Sequence, residues 1–318
     1  MRQTCTPWTL VVAATLVATG AGSATPLLSG ARQDAPDHRL DPDAIRRADG
    51  QEPSVAADGV VRLTWPRDDV AVRVDGVALH PAAGLTSWAA FAPAGEGAML
   101  MGDTVVFEDE VDAAMDAAFE HGLEVTGLHN HFFFDRPKAF FMHVGGHGEP
   151  ADLAAGVKAT WDAIKEVRRA RPAPADGFGG GTPASGELDA DALAEALGRE
   201  VTHQAGVVKV TIGREGSMGG VRVGASMGLT TWAAFSGSDV NAAIDGDFIM
   251  TAPEVQPVLR ALRAAGLHVV ALHNHMTGET PAYYFVHFWG KGPALELARG
   301  FRSVLDSQAA ATRDRDAP

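Results

Sequence analysis

The tetrapeptide Leu-His-Asn-His occurs twice, at residues 128–131 and 272–275, which places the copies 144 residues apart. The same offset relates "GLTSWAAF" at 84–91 to "GLTTWAAF" at 228–235. It also relates Asp103 to Asp247, Glu110 to Glu254, Pro137 to Pro281, His143 to His287 and Gly148 to Gly292. A constant offset over so long a stretch describes one unit present twice. The period far exceeds that of a solenoid repeat, so the expectation is tandem homologous units rather than an array.

The order of elements within a unit sets the fold class. Strand-like segments come first, at 60–65, 70–74, 87–91 and 98–107. A helix follows from Glu108 to His121, with Val111, Ala114, Met115, Ala118 and Phe119 at helical spacing. The second copy of that helix opens with "TAPE". Thr251 as N-cap with Glu254 three residues on is a capping box, which reads Glu110 and Glu254 as helix-start residues. A strand through "LEVTGLHNH", a loop, a strand through "KAFFMHVGG" and a helix from Ala151 to about Arg169 complete the unit. This order predicts an α+β protein, each unit an antiparallel or mixed sheet with helices packed on one face. The expected units span 38–170 and 187–307. A Gly/Pro linker at 171–186 separates them, and a disordered tail at 308–318 follows.

Residues 1–24 read as a secretory signal peptide, with Arg2 before an apolar run and small residues at 21–24. An uncleaved anchor is the rival reading, although the run is short for a membrane span. Cleavage would leave no stable membrane span and would place the protein outside the cytoplasm, secreted or in the periplasm or cell envelope. It would also remove Cys5, the single cysteine. Chemistry would then fall to imidazoles, carboxylates, hydroxyls and backbone. The formal charge of −14, from 26 Lys+Arg against 40 Asp+Glu, argues against nucleic acid and against an anionic membrane surface.

Seven of the twelve histidines lie in the two repeated modules. In a strand, residues i and i+2 share a face, so His129 and His131 point together, and an antiparallel neighbour can bring His143 opposite. Asp135 lies on the loop between them. The second unit offers His273, His275, Glu279 and His287. Three imidazoles with one carboxylate suit a divalent metal, zinc ahead of manganese, iron or nickel. The alternatives are a metal-free polar site working by acid–base chemistry and a buried structural hydrogen-bond network. The "HNH" letters are not those of an HNH nuclease, whose residues are dispersed over a longer stretch.

The modules differ after the hairpin. The first ends "HVGGHG", with His147 as a further ligand or proton carrier; the second ends "HFWGKG", with Lys291 in that place. Gly145, Gly146 and Gly148 read as a turn, or else as a loop approaching a ligand. Trp88 and Trp232 read as core aromatics, or else as a sugar-stacking surface. P-loop and Gly-x-Gly-x-x-Gly patterns are absent from the sequence.

"SWAAF", "MGD", "EDEV", "LHNH", "MHVGGHG" and "HFWGKG" together resemble the LppY/LpqO type of bacterial secreted proteins and lipoproteins, defined by a domain of unknown function often found in tandem. The resemblance covers both units. It implies an envelope location, and some members carry a peptidoglycan-binding label. Cys5 does not sit where those lipoproteins carry their lipid, and Asp135 stands where the family more often has Glu. Two functions follow. One is a metal-dependent hydrolase in which the ion activates water while His147, Asp135 or Glu279 moves protons. The other is a non-catalytic binding protein for a cell-wall fragment or another small ligand.

Overall fold

The computed structural model describes residues 39–183 and 186–316; the expected signal peptide lies outside them. The first repeat runs α1 (Pro42–Asp49), β1 (Ser54–Val55), β2 (Val61–Pro66), β3 (Arg73–Val74), β4 (Val77–Ala78), β5 (Thr86–Ala94) and β6 (Gly97–Phe107). It continues with α2 (Val111–Glu120), β7 (Glu124–His129), β8 (Asp135–Arg136), β9 (Ala139–Gly148) and α3 (Pro150–Ala170). The second repeat runs α4 (Ala190–Leu197), β10 (Thr202–Gln204), β11 (Val207–Gly213), β12 (Gly216–Met218), β13 (Val221–Val223), β14 (Thr230–Ser238) and β15 (Asn241–Met250). It closes with α5 (Ala252–Ala264), β16 (His268–His273), β17 (Glu279–Thr280), β18 (Tyr284–Gly292) and α6 (Ala294–Asp316). The fold is α+β, as the order of sequence patterns predicts.

The two repeats share one twelve-stranded sheet, ordered β1-β2-β5-β6-β9-β7-β16-β18-β15-β14-β11-β10. The order is a palindrome about the β7–β16 seam. There the two Leu-His-Asn-His strands meet antiparallel, with Leu128 opposite Leu272. Alternation along each strand separates the two faces. Val61, Leu63, Ala89, Phe91, Ala98 and Leu100 point to the helices and join one core with Ile45, Met115, Trp161, Leu193, Leu259 and Phe301. That core runs through both repeats. Gln256 of α5 receives the Val125 amide and donates to the Val125 carbonyl, where a bulge in β7 interrupts pairing. Arg263 of α5 binds Asp116 and Asp112 of α2, and Arg260 donates to the carbonyls of Phe119 and Leu123. Charge pairing and backbone capping thus close the seam on the helical side.

The opposite face carries two small sheets, β4-β3-β8 and β13-β12-β17. Each covers its own apolar cluster: Val72, Leu85, Val105, Phe107, Ala139 and Phe141 in the first repeat, Val223, Leu229, Ile249, Tyr283 and Phe285 in the second. They stand as walls on one end of an otherwise open sheet face.

Glu110 and Glu254 do start helices. Glu254 forms the capping box with Thr251, and the Phe107 amide donates to Glu110. Each also holds an arginine bidentately, the buried Arg67 in the first repeat and the partly exposed Arg214 in the second.

Two expectations about order do not match. The segment 171–186 is fastened where it is described. The Ala175 amide donates to Asp109, Phe178 stacks on His268 at 3.6 Å, and Lys291 donates to the Gly179 carbonyl. The tail expected at 308–318 is helical through 316, because Gln308 donates to the Ile249 carbonyl and to Glu254, and Thr312 donates to Glu254. Buried acceptors across the fold hold a polar sequence that has no apolar stripe of its own.

Candidate metal centre

Paired residues in a sheet share a face, so the registers define what stands together on the open side. In the first repeat Thr64 pairs with Trp88, Trp88 with Asp103, and Asp103 with His143. In the second, Thr211 pairs with Trp232, Trp232 with Asp247, and Asp247 with His287. His143 lies opposite Gly127 and therefore diagonal to His129; His287 lies opposite Ala271 and diagonal to His273. The result is one polar row crossing the sheet through both repeats, with a cluster on either side of the seam.

Each strand β7 and β16 ends at the first histidine of its pair. The second histidine follows in the turn and folds back over the first. Ring centroids of His129 and His131 lie 5.1 Å apart, as do those of His273 and His275. His131 rests flat on Phe141 at 3.3 Å and His275 on Phe285 at 3.4 Å. These shelves belong to the small apolar clusters, so the walls that cover the sheet also set the imidazole planes. The His129 and His273 rings turn Nδ1 toward the carbonyls of Asn130 and Asn274, which leaves Nε2 for the centre.

The donors converge. In the second repeat Asp247, His273, His275 and His287 each offer a ligand atom, all within 4.8 Å of one another. In the first, His129 Nε2 and His143 Nε2 are 2.9 Å apart. Asp103 and Asp247 are buried, and the Oδ1 of each lacks a hydrogen-bond partner among the described residues. Asp49, Asp109, Asp112 and Glu279 also keep a buried carboxylate oxygen without a hydrogen-bond partner, so it is the imidazoles around Asp103 and Asp247 that point to a cation there. Burial pushes both carboxyls above their ordinary range, against the opposing pull of the three nearby imidazoles. Burial moves His131 and His275 below the ordinary imidazole value, against the pull of the aspartates. Neutral imidazoles beside a carboxylate that gains by meeting positive charge are what a metal ion requires.

In the second repeat the three histidines expected as ligands are brought together with Asp247; in the first, His129 and His143 touch, and the four donors gather less tightly. The carboxylates expected beside them are taken up elsewhere. Asp135 Oδ2 accepts from the Ala139 amide and Glu279 Oε1 from the Tyr283 amide, four residues on in each case. Both tie down the loop that enters β9 or β18 and stand outside the cluster of donor atoms. His147 is exposed, four strand residues beyond His143, on the order of 13 Å away. Gly145, Gly146 and Gly148 continue strand β9 rather than forming a turn. Trp88 and Trp232 are half-buried on the open face, beneath Arg62 and Lys209 at 4.5 and 4.2 Å, and outside the core. The residues missed were Asp103 and Asp247. Their common offset was visible, and a pairing register was needed to place them beside the histidines.

Fold and site define a duplicated α+β protein with a His/Asp cluster in its second half and the matching residues near one another in the first. The family model described as Domain of Unknown Function (DUF1259) matches residues 43–163 and 191–307, and the chain belongs to that family. Among curated proteins none matches it significantly. Two solved structures resemble it weakly. One is the trimeric bacterial microcompartment shell protein PduB, with TM-score 0.19 and 13% identity over 80% of this chain and 92% of that one. The other is EtuB from Clostridium kluyveri, with TM-score 0.21 and 11% identity over 83% and 92%. Likenesses at this level carry nothing about function. Among the described residues no helix is long and apolar enough to cross a membrane.

Proposed function

We propose that each repeat binds one divalent metal ion through three imidazoles and an aspartate: His129, His131, His143 and Asp103 in the first, and His273, His275, His287 and Asp247 in the second. The observation that carries this reading is the convergence of Asp247, His273, His275 and His287 in the second repeat, a pattern that the first repeat carries in looser form around Asp103. The 2.9 Å hydrogen bond between His129 Nε2 and His143 Nε2 brings these two ring nitrogens face to face on the open side of the sheet. All donors stand on the open side of the sheet, with His131 and His275 exposed in the turns that follow β7 and β16. Four protein donors close a tetrahedral zinc site, whereas an ion of higher coordination number held from one side keeps positions for an outside ligand. Zinc, manganese, iron and nickel all accept this donor set.

Such an ion supplies Lewis acidity, and the activity class that suits it is hydrolysis. Proton movement then falls to the cluster's own aspartates rather than to His147, Asp135 or Glu279, which stand away from the donors. We further place the protein in the cell envelope and in the LppY/LpqO type, on the sequence pattern of its repeats. The alternative is a non-catalytic protein that captures a cell-wall fragment through the ion. Its support is the row of half-buried Trp88 and Trp232 beside the histidines, which lies along an open face. Turnover of ester, amide and glycan model substrates by the loaded protein, compared with Asp103→Asn and Asp247→Asn, separates the two. Hydrolysis lost in an Asn variant supports the enzyme, and binding without turnover supports capture.

A further inference from the structure

The loops that carry the second histidine of each pair have the same backbone and different residues. Asn130 Nδ2 donates to the Phe132 carbonyl at 2.9 Å, and Asn274 Nδ2 to the Met276 carbonyl at 2.8 Å. Phe132 and Met276 both pack into the wall clusters. Two residues later the chain turns left-handed in both loops. The second repeat uses Gly278 there, at φ +87°; the first uses Phe134, at φ +61°. Glycine adopts that conformation freely, whereas a bulky L side chain is disfavoured in it. Packing does not repay the strain, because Phe134 is 80% exposed, as is Phe133 beside it. Two adjacent aromatic side chains stand in water immediately after His131, on a backbone that favours glycine. Strain kept without a folding return points to use in binding.

Resting on the metal reading above, we propose that the first repeat takes a ligand with two parts. An anionic or chelating head would meet the ion at His129, His131, His143 and Asp103, and an acyl or aryl part would lie on Phe133 and Phe134. The second repeat, with Thr277 and Gly278 in those places, takes the head alone. The two sites then differ in specificity while sharing their ligands to the ion.

Hydroxamates test this, since they chelate a bound metal and can carry any tail. Calorimetry would compare acetohydroxamate with octanohydroxamate on the nickel-loaded full chain, its His129→Ala variant and a Phe133→Ser/Phe134→Gly variant. At the first site of the wild type, the octanoyl compound should bind about tenfold tighter, the gain from burying roughly two methylenes. That ratio should fall to near one in the double variant and in His129→Ala, with acetohydroxamate binding at the second site unchanged. Phe134→Gly alone should raise Tm by about 2 °C, because the strain is relieved. An unchanged tail preference in the double variant, or a lower Tm for Phe134→Gly, overturns the proposal. So does an intact tail preference with lost flotation on neutral vesicles, which would make the pair a membrane contact. Nickel-loaded protein that binds no hydroxamate at all contradicts the open metal site itself, a failure distinct from loss of the tail effect.

Discussion

Leu128 lies opposite Leu272 at the centre of the twelve-stranded sheet, and both are buried in a core that runs through the two repeats. The seam is part of the folded unit rather than a contact between two finished domains. The Leu128→Ala variant should lose about 3 kcal/mol, as a large-to-small change in a closed core does. Denaturant unfolding followed by circular dichroism and by tryptophan fluorescence should give coincident single transitions in the wild type. Two separated transitions would mean that the repeats fold independently.

Glu254 links the helix start to the tail. Hydrogen bonds from Arg214, Thr312 and the Thr251 amide hold its carboxyl below the ordinary range despite burial. A depressed carboxyl stabilises the fold above its unfolded pKa, and that contribution fades as pH falls through the folded value. Glu254→Gln should cost about 2 kcal/mol at neutral pH, a figure reduced for the partly exposed Arg214. The variant should also show a flatter acid limb. Truncation after residue 307 should move stability and acid sensitivity in the same direction, because it removes Gln308 and Thr312. A truncated protein with unchanged Tm at pH 7 would contradict the role given to the helical tail.

Asp103 and Asp247 behave in the opposite sense. Burial raises both carboxyls. A raised carboxyl binds its proton more tightly in the folded state, so stability falls as pH climbs from the unfolded pKa to the folded one. The penalty grows over that range. Asp103→Asn and Asp247→Asn should therefore raise the Tm of metal-free protein at pH 7 and shrink the Tm gain on adding metal. Variants less stable than the wild type without metal would show that the aspartates serve the fold rather than an ion.

The repeat, the fold class and the six imidazoles were legible in the sequence because each rests on local pattern or constant spacing. The carboxylates were not. Asp135 and Glu279 lie near the histidines along the chain, and sequence proximity favoured them. Yet a short polar loop feeding a strand needs an acceptor for its backbone amide, and that need takes their side chains. Asp103 and Asp247 are remote in sequence and come adjacent through strand pairing, which depends on the whole sheet. The helix through Gln308 and Thr312 was hidden for a similar reason. Its polar residues answer acceptors on β15 and α5, 54 to 59 residues earlier. The shared sheet could not be read from either repeat alone, since the edge strands β7 and β16 find their partner only in the other copy.

Metal count per chain by native mass spectrometry tests the central claim most directly. Metal-free protein would be loaded in turn with zinc, manganese, iron and nickel, and the wild type compared with His273→Ala, Asp247→Asn and Glu279→Gln. The account predicts two ions in the wild type and in Glu279→Gln, and one in His273→Ala and in Asp247→Asn. No ion under any loading would contradict it, and so would loss of an ion from Glu279→Gln while Asp247→Asn keeps both.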